Sequence, residues 1–203
     1  MARKTREAAE KTRQDILEAA FGSFSQKGFT RTTLEDVART AGVTRGAVYW
    51  HFKDKLDLFM VLSEEVEGEA GVRPEDLETE RVKTLRDLKE ELLKFLAHFE
   101  KRDRYAVFYE MVNYRTEYTE ELRPVLDRQL SNHRKTLAIL EEVLERFKRM
   151  GLVRSDLDTY RTAISLIALV VGITAIWLLD PGAFPDAATV PAILDDQLLG
   201  LGP

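Results

Sequence analysis

The chain contains no cysteine, which removes disulfides, thiolate metal sites, iron–sulfur clusters and thiol nucleophiles in one step. Histidine is almost as scarce: His51, His98 and His133 are the only three, and none stands in the Glu-x-x-His spacing that a di-iron helical bundle needs. Both scarcities argue against a metalloenzyme, and no cofactor, metal site or catalytic group is expected. Sustained period-two alternation flanked by turn residues is also missing, so no sheet is expected. Six prolines and eleven glycines in 203 residues leave no low-complexity tract and no internal repeat. The first residues, Met-Ala-Arg-Lys-Thr-Arg, lack the apolar run of a signal peptide, and a cytoplasmic protein is expected.

What is present is helix-forming sequence and an uneven charge. The formal net charge is −5, but residues 1–55 hold 11 Lys+Arg against 7 Asp+Glu, and the remaining 148 hold 19 against 28. One end is therefore basic and the rest acidic. A charge-free run from Thr162 to Leu179 spans 18 residues, the lower limit for crossing a bilayer. Its Thr162, Ser165, Gly172 and Thr174, and the lack of a second such run, point instead to a helix buried between other helices or between subunits.

Apolar periodicity predicts an all-α fold of about nine helices. The first runs from about Glu7 to Lys27, with Ile16, Leu17, Ala20, Phe21 and Phe24 on one face and Gly28 as its stop. A short second helix opens at Thr33, with Asp36 three residues on completing a capping pattern. Ala41-Gly42-Val43 makes a turn, and a third helix starts at the cap Thr44 and ends near Phe52. A fourth runs from Lys55 to Gly68 or Gly71. Gly68, Gly71 and Pro74 suggest a joint, followed by helices over Glu75 to Lys101, Arg104 to Arg115, Glu120 to Met150 and Asp156 to Leu179, and a last one to Leu199 that begins late because of Pro191. The expected divisions are 1–54 for an N-terminal arm with a three-helix domain, 55–73 for a connecting helix and 74–203 for a larger helical domain.

The second and third helices and their glycine turn form a helix-turn-helix. Leu34, Val37, Ala38, Val43 and Val48 are spaced to pack it against Phe21 and Phe24. The outer face of the third helix carries Arg45, Gly46, Ala47, Tyr49, Trp50 and His51. Arg45 can pair with a guanine edge, while Gly46 and Ala47 permit close approach. Tyr49, Trp50, His51 and Lys55 can meet phosphates and sugars. Phe52 is expected inside, by its spacing from Val48. Arg3, Lys4 and Arg6 read as a disordered basic arm that reaches DNA electrostatically.

The run Ala41-Gly-Val-Thr-Arg-Gly-Ala-Val-Tyr-Trp-His-Phe-Lys-Asp-Lys55, with Thr33 and Val37 before it, resembles the DNA-binding domain of TetR-type repressors over residues 7–60, and is most similar to the AcrR-like branch that represses multidrug efflux pumps. The resemblance implies a homodimer joined through the last two helices, a ligand cavity among the central helices, a pseudo-palindromic double-stranded DNA operator and release by a small apolar or cationic effector. Thr33 and Thr44 belong with the DNA-binding set. Gly172, Ala168 and Ala175 suit a twofold helix contact; a helix buried within its own monomer is the other reading. Glu67 stands where the branch carries an acidic residue that meets cationic drugs, unless it joins Glu64, Glu65 and Glu69 in a solvated acidic face. Phe95, Phe99, Phe108, Met111 and Trp177 suit an apolar pocket or plain core. Asn113 and Glu110 lie about opposite Phe108 on their helix, so only one of the two faces can line that pocket. A constitutive architectural DNA-binding protein without effector, and a helical enzyme acting on a bound ligand, are the alternative functions.

Overall fold

In the computed structural model, residues 2–74, 80–116 and 119–202 are described, with side chains from residue 6 onward. The described residues hold nine α-helices and no strand: α1 Ala2–Lys27, α2 Leu34–Thr40, α3 Arg45–His51, α4 Lys55–Ala70, α5 Leu85–Lys101, α6 Arg104–Tyr114, α7 Arg123–Arg149, α8 Thr159–Leu179 and α9 Thr189–Leu199, with a 3-10 turn at Glu120–Leu122 before α7. The expected order of helices is therefore present, with two starts displaced.

α1 begins at Ala2, not near Glu7. Ala, Arg and Lys are all strong helix formers and nothing in Ala2–Arg6 breaks the helix, so the backbone expected to be a disordered arm is helical. α5 begins at Leu85, not at Glu75; residues 75–79 of the expected helix lie outside the described residues. Its start is fixed by a capping box: the Thr84 hydroxyl accepts from the Asp87 N–H at 3.2 Å and the Asp87 carboxylate accepts from the Thr84 N–H at 2.8 Å. Pro124 and Pro191 both fall in the first turn of their helices, where no intrahelical hydrogen bond is lost.

The helices form two compact units, one of residues 1–69 with 104–127, the other of 70–103 with 128–203. These units cut across the boundaries 1–54, 55–73 and 74–203. In the first unit, Phe24, Phe29, Phe59 and Phe108 form an aromatic chain with centroid separations of 5.2–6.0 Å. Leu58, Leu62 and Val66 of α4 join Ile16 and Leu17 of α1 and Met111 and Val112 of α6 in the same core. Burying each such side chain is worth about 1.5–3 kcal/mol, so α6 folds with the N-terminal helices although some 30 residues of chain precede it after α4.

In the second unit, Leu88, Leu144, Phe147, Ala163, Leu166 and Leu198 form one core cluster, and Leu96, Val170, Ile173, Val190 and Leu194 another. α8 is buried along one side only. Thr162, Ala163, Leu166, Val170, Ile173 and Thr174 are inside, whereas Tyr160, Ile164, Val171, Ile176 and Leu179 are exposed. Ala168 is exposed and Ala175 half-buried along that outer stripe. α8 is long and apolar enough to cross a membrane by length and composition, but it is built into this core as well.

Candidate nucleic-acid interface and effector cavity

The turn between α2 and α3 depends on Gly42, whose φ is +68°. In that left-handed conformation the Gly42 N–H donates to the Arg39 carbonyl and the Val43 N–H to the Ala38 carbonyl at 3.0 Å, ending α2 and redirecting the chain within three residues. α2 is capped by Thr33 and Asp36, which exchange hydrogen bonds of 3.1 and 3.2 Å. Hydrogen bonds from the Thr33 hydroxyl and backbone, with Lys27 nearby, hold the Asp36 carboxyl down to about 2. The cap's contribution is thus present above the ordinary carboxylate range and lost only as pH falls through that value. Thr44 caps α3 by accepting from the Ala47 N–H at 3.2 Å.

Val48 and Phe52 are the inward side of α3, both essentially buried. The opposite side is open: Tyr49 is 46% exposed and Trp50 73%. Arg45 donates to the Tyr49 hydroxyl at 3.1 Å and lies 5.4 Å over its ring. That hydrogen bond raises the already high guanidinium pKa, and it holds the cation on the outer surface of the helix. Gly46 and Thr44 are exposed and Ala47 is half-buried, so no large side chain shields the first turn. His51 is half-buried, and burial followed by the charge of Arg13 pushes its pKa below the ordinary 6.5.

Two members of the expected DNA-facing set are otherwise engaged. The Thr33 hydroxyl donates to Asp36 at 2.9 Å and serves the cap. The Lys55 ammonium donates to the Phe29 carbonyl at 3.2 Å, lies 4.2 Å from the Phe29 ring centroid and 3.9 Å from Glu121. Its side chain is only 18% exposed; a buried carbonyl and an aromatic face outcompete solvent for it. Lys55→Ala is therefore expected to lower the stability of the fold by about 2 kcal/mol, the scale of a lost charged hydrogen bond, read as an earlier midpoint in a urea titration. An unchanged midpoint with a flattened salt dependence of DNA binding would instead put the ammonium on a phosphate. Arg6 is exposed, and the side chains of Arg3 and Lys4 lie outside the described residues.

The residues expected to line one pocket divide. Phe108 and Met111 are 4% and 1% exposed in the core of the first unit. Asn113 is exposed and donates its amide to the Tyr109 carbonyl at 2.9 Å. Glu67 is half-buried on α4, while its neighbours Glu65 and Glu69 form ion pairs with Arg104 at 3.7 and 3.6 Å. Phe99 and Trp177, by contrast, come together in the second unit on an open cavity of about 320 Å³, with Leu93, Leu96, Phe184 and Val190. Phe95 packs beside Phe99 at 5.3 Å, and Phe184 meets Trp177 edge to face at 4.9 Å. Glu100, Arg102 and Asp186 stand in the same lining. Volume and lining are at the small end of small-molecule sites, which span about 300–1,000 Å³. Phe184 and Val190 were not anticipated from the sequence; Phe184 lies in the loop before α9, which carries no periodicity, and Val190 in the first turn of α9 reads as ordinary core.

Residues 16–62 match the tetR family of bacterial regulatory proteins, and residues 83–201 match the C-terminal region of MAATS-type transcriptional repressors. The HTH-type transcriptional regulator AcrR of Shigella flexneri is 35% identical over 189 residues, covering 91% of this chain and 86% of that protein. The crystal structure of NalD, the secondary repressor of the MexAB-OprM multidrug efflux pump in Pseudomonas aeruginosa, superposes with a TM-score of 0.81 at 34% identity over 96% of this chain and 97% of that one. SmeT, the repressor of the Stenotrophomonas maltophilia pump SmeDEF, solved as a triclosan complex, gives 0.80 at 28% identity over 95% and 92%. With a reading helix at its basic end and matches along nearly its whole length, the chain belongs to the TetR family of bacterial regulatory proteins, in its AcrR-like branch.

Proposed function

We propose that the protein is a cytoplasmic, ligand-responsive transcriptional repressor that binds a pseudo-palindromic operator as a homodimer and acts by binding alone, without catalysis. The observation that carries this reading is the outer face of α3, where Arg45, held by Tyr49, stands with Trp50 beside a first turn of small residues. Arg45 reads a base, Thr44 and the start of α3 seat a phosphate, and Tyr49 and Trp50 pack against sugar and phosphate. The exposed stripe of α8, together with exposed Leu199 of α9, forms the twofold contact. Residues 1–69 with α6 then form the reading half, and residues 128–203 with α5 the effector and dimer half.

The cavity suggests how an effector releases DNA. It is lined by the ends of α8 and α9, the helices that carry the exposed stripe. An apolar or cationic guest beside Trp177 and Phe99 shifts these helices and with them the twofold contact. The two reading helices then no longer match half-sites about 34 Å apart, or a multiple of that. Glu100 and Asp186 outnumber Arg102 in the lining, which favours a cation over an anion.

The test is a selection from random double-stranded DNA followed by calorimetric titration of triclosan and of a cationic dye, with and without the selected DNA. An enriched inverted repeat is expected, and each compound should bind more weakly to the DNA complex by the factor by which it weakens DNA binding, commonly about 1–3 kcal/mol. Trp177→Ala should weaken the effector about tenfold and leave operator affinity unchanged. Equal ligand affinity with and without DNA would leave a constitutive DNA-binding protein; no enriched sequence would remove the DNA-binding function altogether.

A further inference from the structure

Arg104 is the first residue of α6, where the unpaired N–H groups make a cation unfavourable to its own helix. Its placement is explained by other helices. The guanidinium lies 4.6 Å over the Phe21 ring of α1 and forms ion pairs with Glu18 of α1 and, at 3.7 and 3.6 Å, with Glu65 and Glu69 of α4. Glu65 in turn accepts a hydrogen bond of 2.9 Å from Gln14 of α1. One cation thus gathers three carboxylates from the two helices that flank the helix-turn-helix. Arg104 and Glu65 side chains are 28% and 17% exposed, so salt screens this cluster less than a surface pair.

The guanidinium is held but not saturated. Nε and Nη2 are shielded from solvent and make no hydrogen bond, although Glu69 and Glu65 stand within ion-pair reach of them. Both carboxylates stand on α4, so a small displacement of Arg104 along that helix would close one of these pairs into a hydrogen bond and open the other. Without the cation, three carboxylates across the α1–α4 seam would repel one another, and one of them is mostly buried. Arg104 makes no use of the α3 surface.

We propose that Arg104 is a positioning residue for DNA reading: it pins α1 and α4 at the spacing in which they present α3, and so makes α6 part of the reading half. The inference rests on the DNA-binding function proposed above. Loosening the pin leaves every DNA-facing side chain in place but makes the free protein sample arrangements that do not fit the groove, and affinity falls by the competent fraction.

The experiment uses the full chain and the DNA enriched by the selection described above. R104Q should bind that DNA about tenfold more weakly, with the slope of log affinity against log salt unchanged, because no phosphate contact is removed. R104K, which keeps the charge without the planar fork, should recover part of the loss. Because R104Q leaves Glu65 uncompensated and could impair folding, the double variant E18Q/E69Q is measured beside it. Those two side chains are 54% and 55% exposed, the exchange preserves shape, and about a threefold loss is expected. Affinities of R104Q and of E18Q/E69Q within twofold of the native chain overturn the proposal; should R104Q not fold, E18Q/E69Q within twofold does so alone. A salt slope reduced by about one ion in R104Q overturns it differently, placing Arg104 at the DNA. Failure of the native chain to enrich any sequence overturns the DNA-binding function itself, a result distinct from native binding that R104Q leaves intact.

Discussion

Arg45→Ala should lower affinity for the selected operator by about 1–3 kcal/mol per half-site, and leave affinity for random DNA nearly unchanged. Arg45 is the only long cationic side chain in the first turn of α3, and its guanidinium is held against the Tyr49 hydroxyl at 3.1 Å on the outer face. A side chain tethered there loses little freedom on meeting a guanine edge, so its removal deletes a directed pair of hydrogen bonds and not merely a charge. In a dimer the effect counts twice, and preference should relax at one base pair in each half-site. Tyr49→Phe, which frees Arg45 without removing it, should show a fraction of that loss. Competition gel shifts with operator variants check both. Equal loss on operator and random DNA would make Arg45 a phosphate contact.

A charge placed on the outer stripe of α8 should be more damaging still. Ile164→Glu together with Val171→Glu is expected to convert the proposed homodimer to monomer, seen by sedimentation, and to weaken operator binding by more than about a hundredfold. Each burial of an unpaired carboxylate in an apolar contact costs several kcal/mol. Both positions are exposed in the single chain, at 42% and 44%, so the melting temperature of the isolated subunit should change little. That separation matters. The inner side of the same helix, Ala163, Leu166, Val170 and Ile173, would give unfolding instead. An unchanged dimer would locate the twofold contact elsewhere.

The local parts of this fold were the legible ones. The α2–α3 turn could be read because Thr33, Asp36, Gly42 and Thr44 each fix their neighbours within four residues. Tyr49 and Trp50 could be assigned outward because Val48 and Phe52 claim the inward face. Partners distant in sequence were not legible. Lys55 looked like a free cation beside the reading helix, and only the fold brings the Phe29 carbonyl and Glu121 to it. Phe108 and Met111 suited either a pocket wall or plain core, and α6 delivers them to the core around Phe59. α4, expected within a connecting segment 55–73, packs its residues Leu58, Phe59, Leu62 and Val66 with α1 and α6 in the first unit, which no local pattern announces. The start of α5 was a different miss. The capping box at Thr84 and Asp87 is a local signal, overlooked because acidic, leucine-bearing sequence on its N-terminal side also suits a helix.

The chain contains only two tryptophans, and they fall one to each unit: Trp50 stands 73% exposed on the reading face, and Trp177 lines the cavity beside Phe184. On the proposed function these are two natural optical reporters whose emission should answer to different ligands. Trp50 should respond to DNA stacking or packing against its indole, and Trp177 to an aromatic guest replacing water beside it. Trp50→Phe leaves a chain whose fluorescence reports the cavity alone, and Trp177→Phe one that reports the DNA face alone. An effector that changes the emission of the second variant, in which its own site is silent, would make communication between cavity and reading helix visible in real time, without a label on protein or DNA.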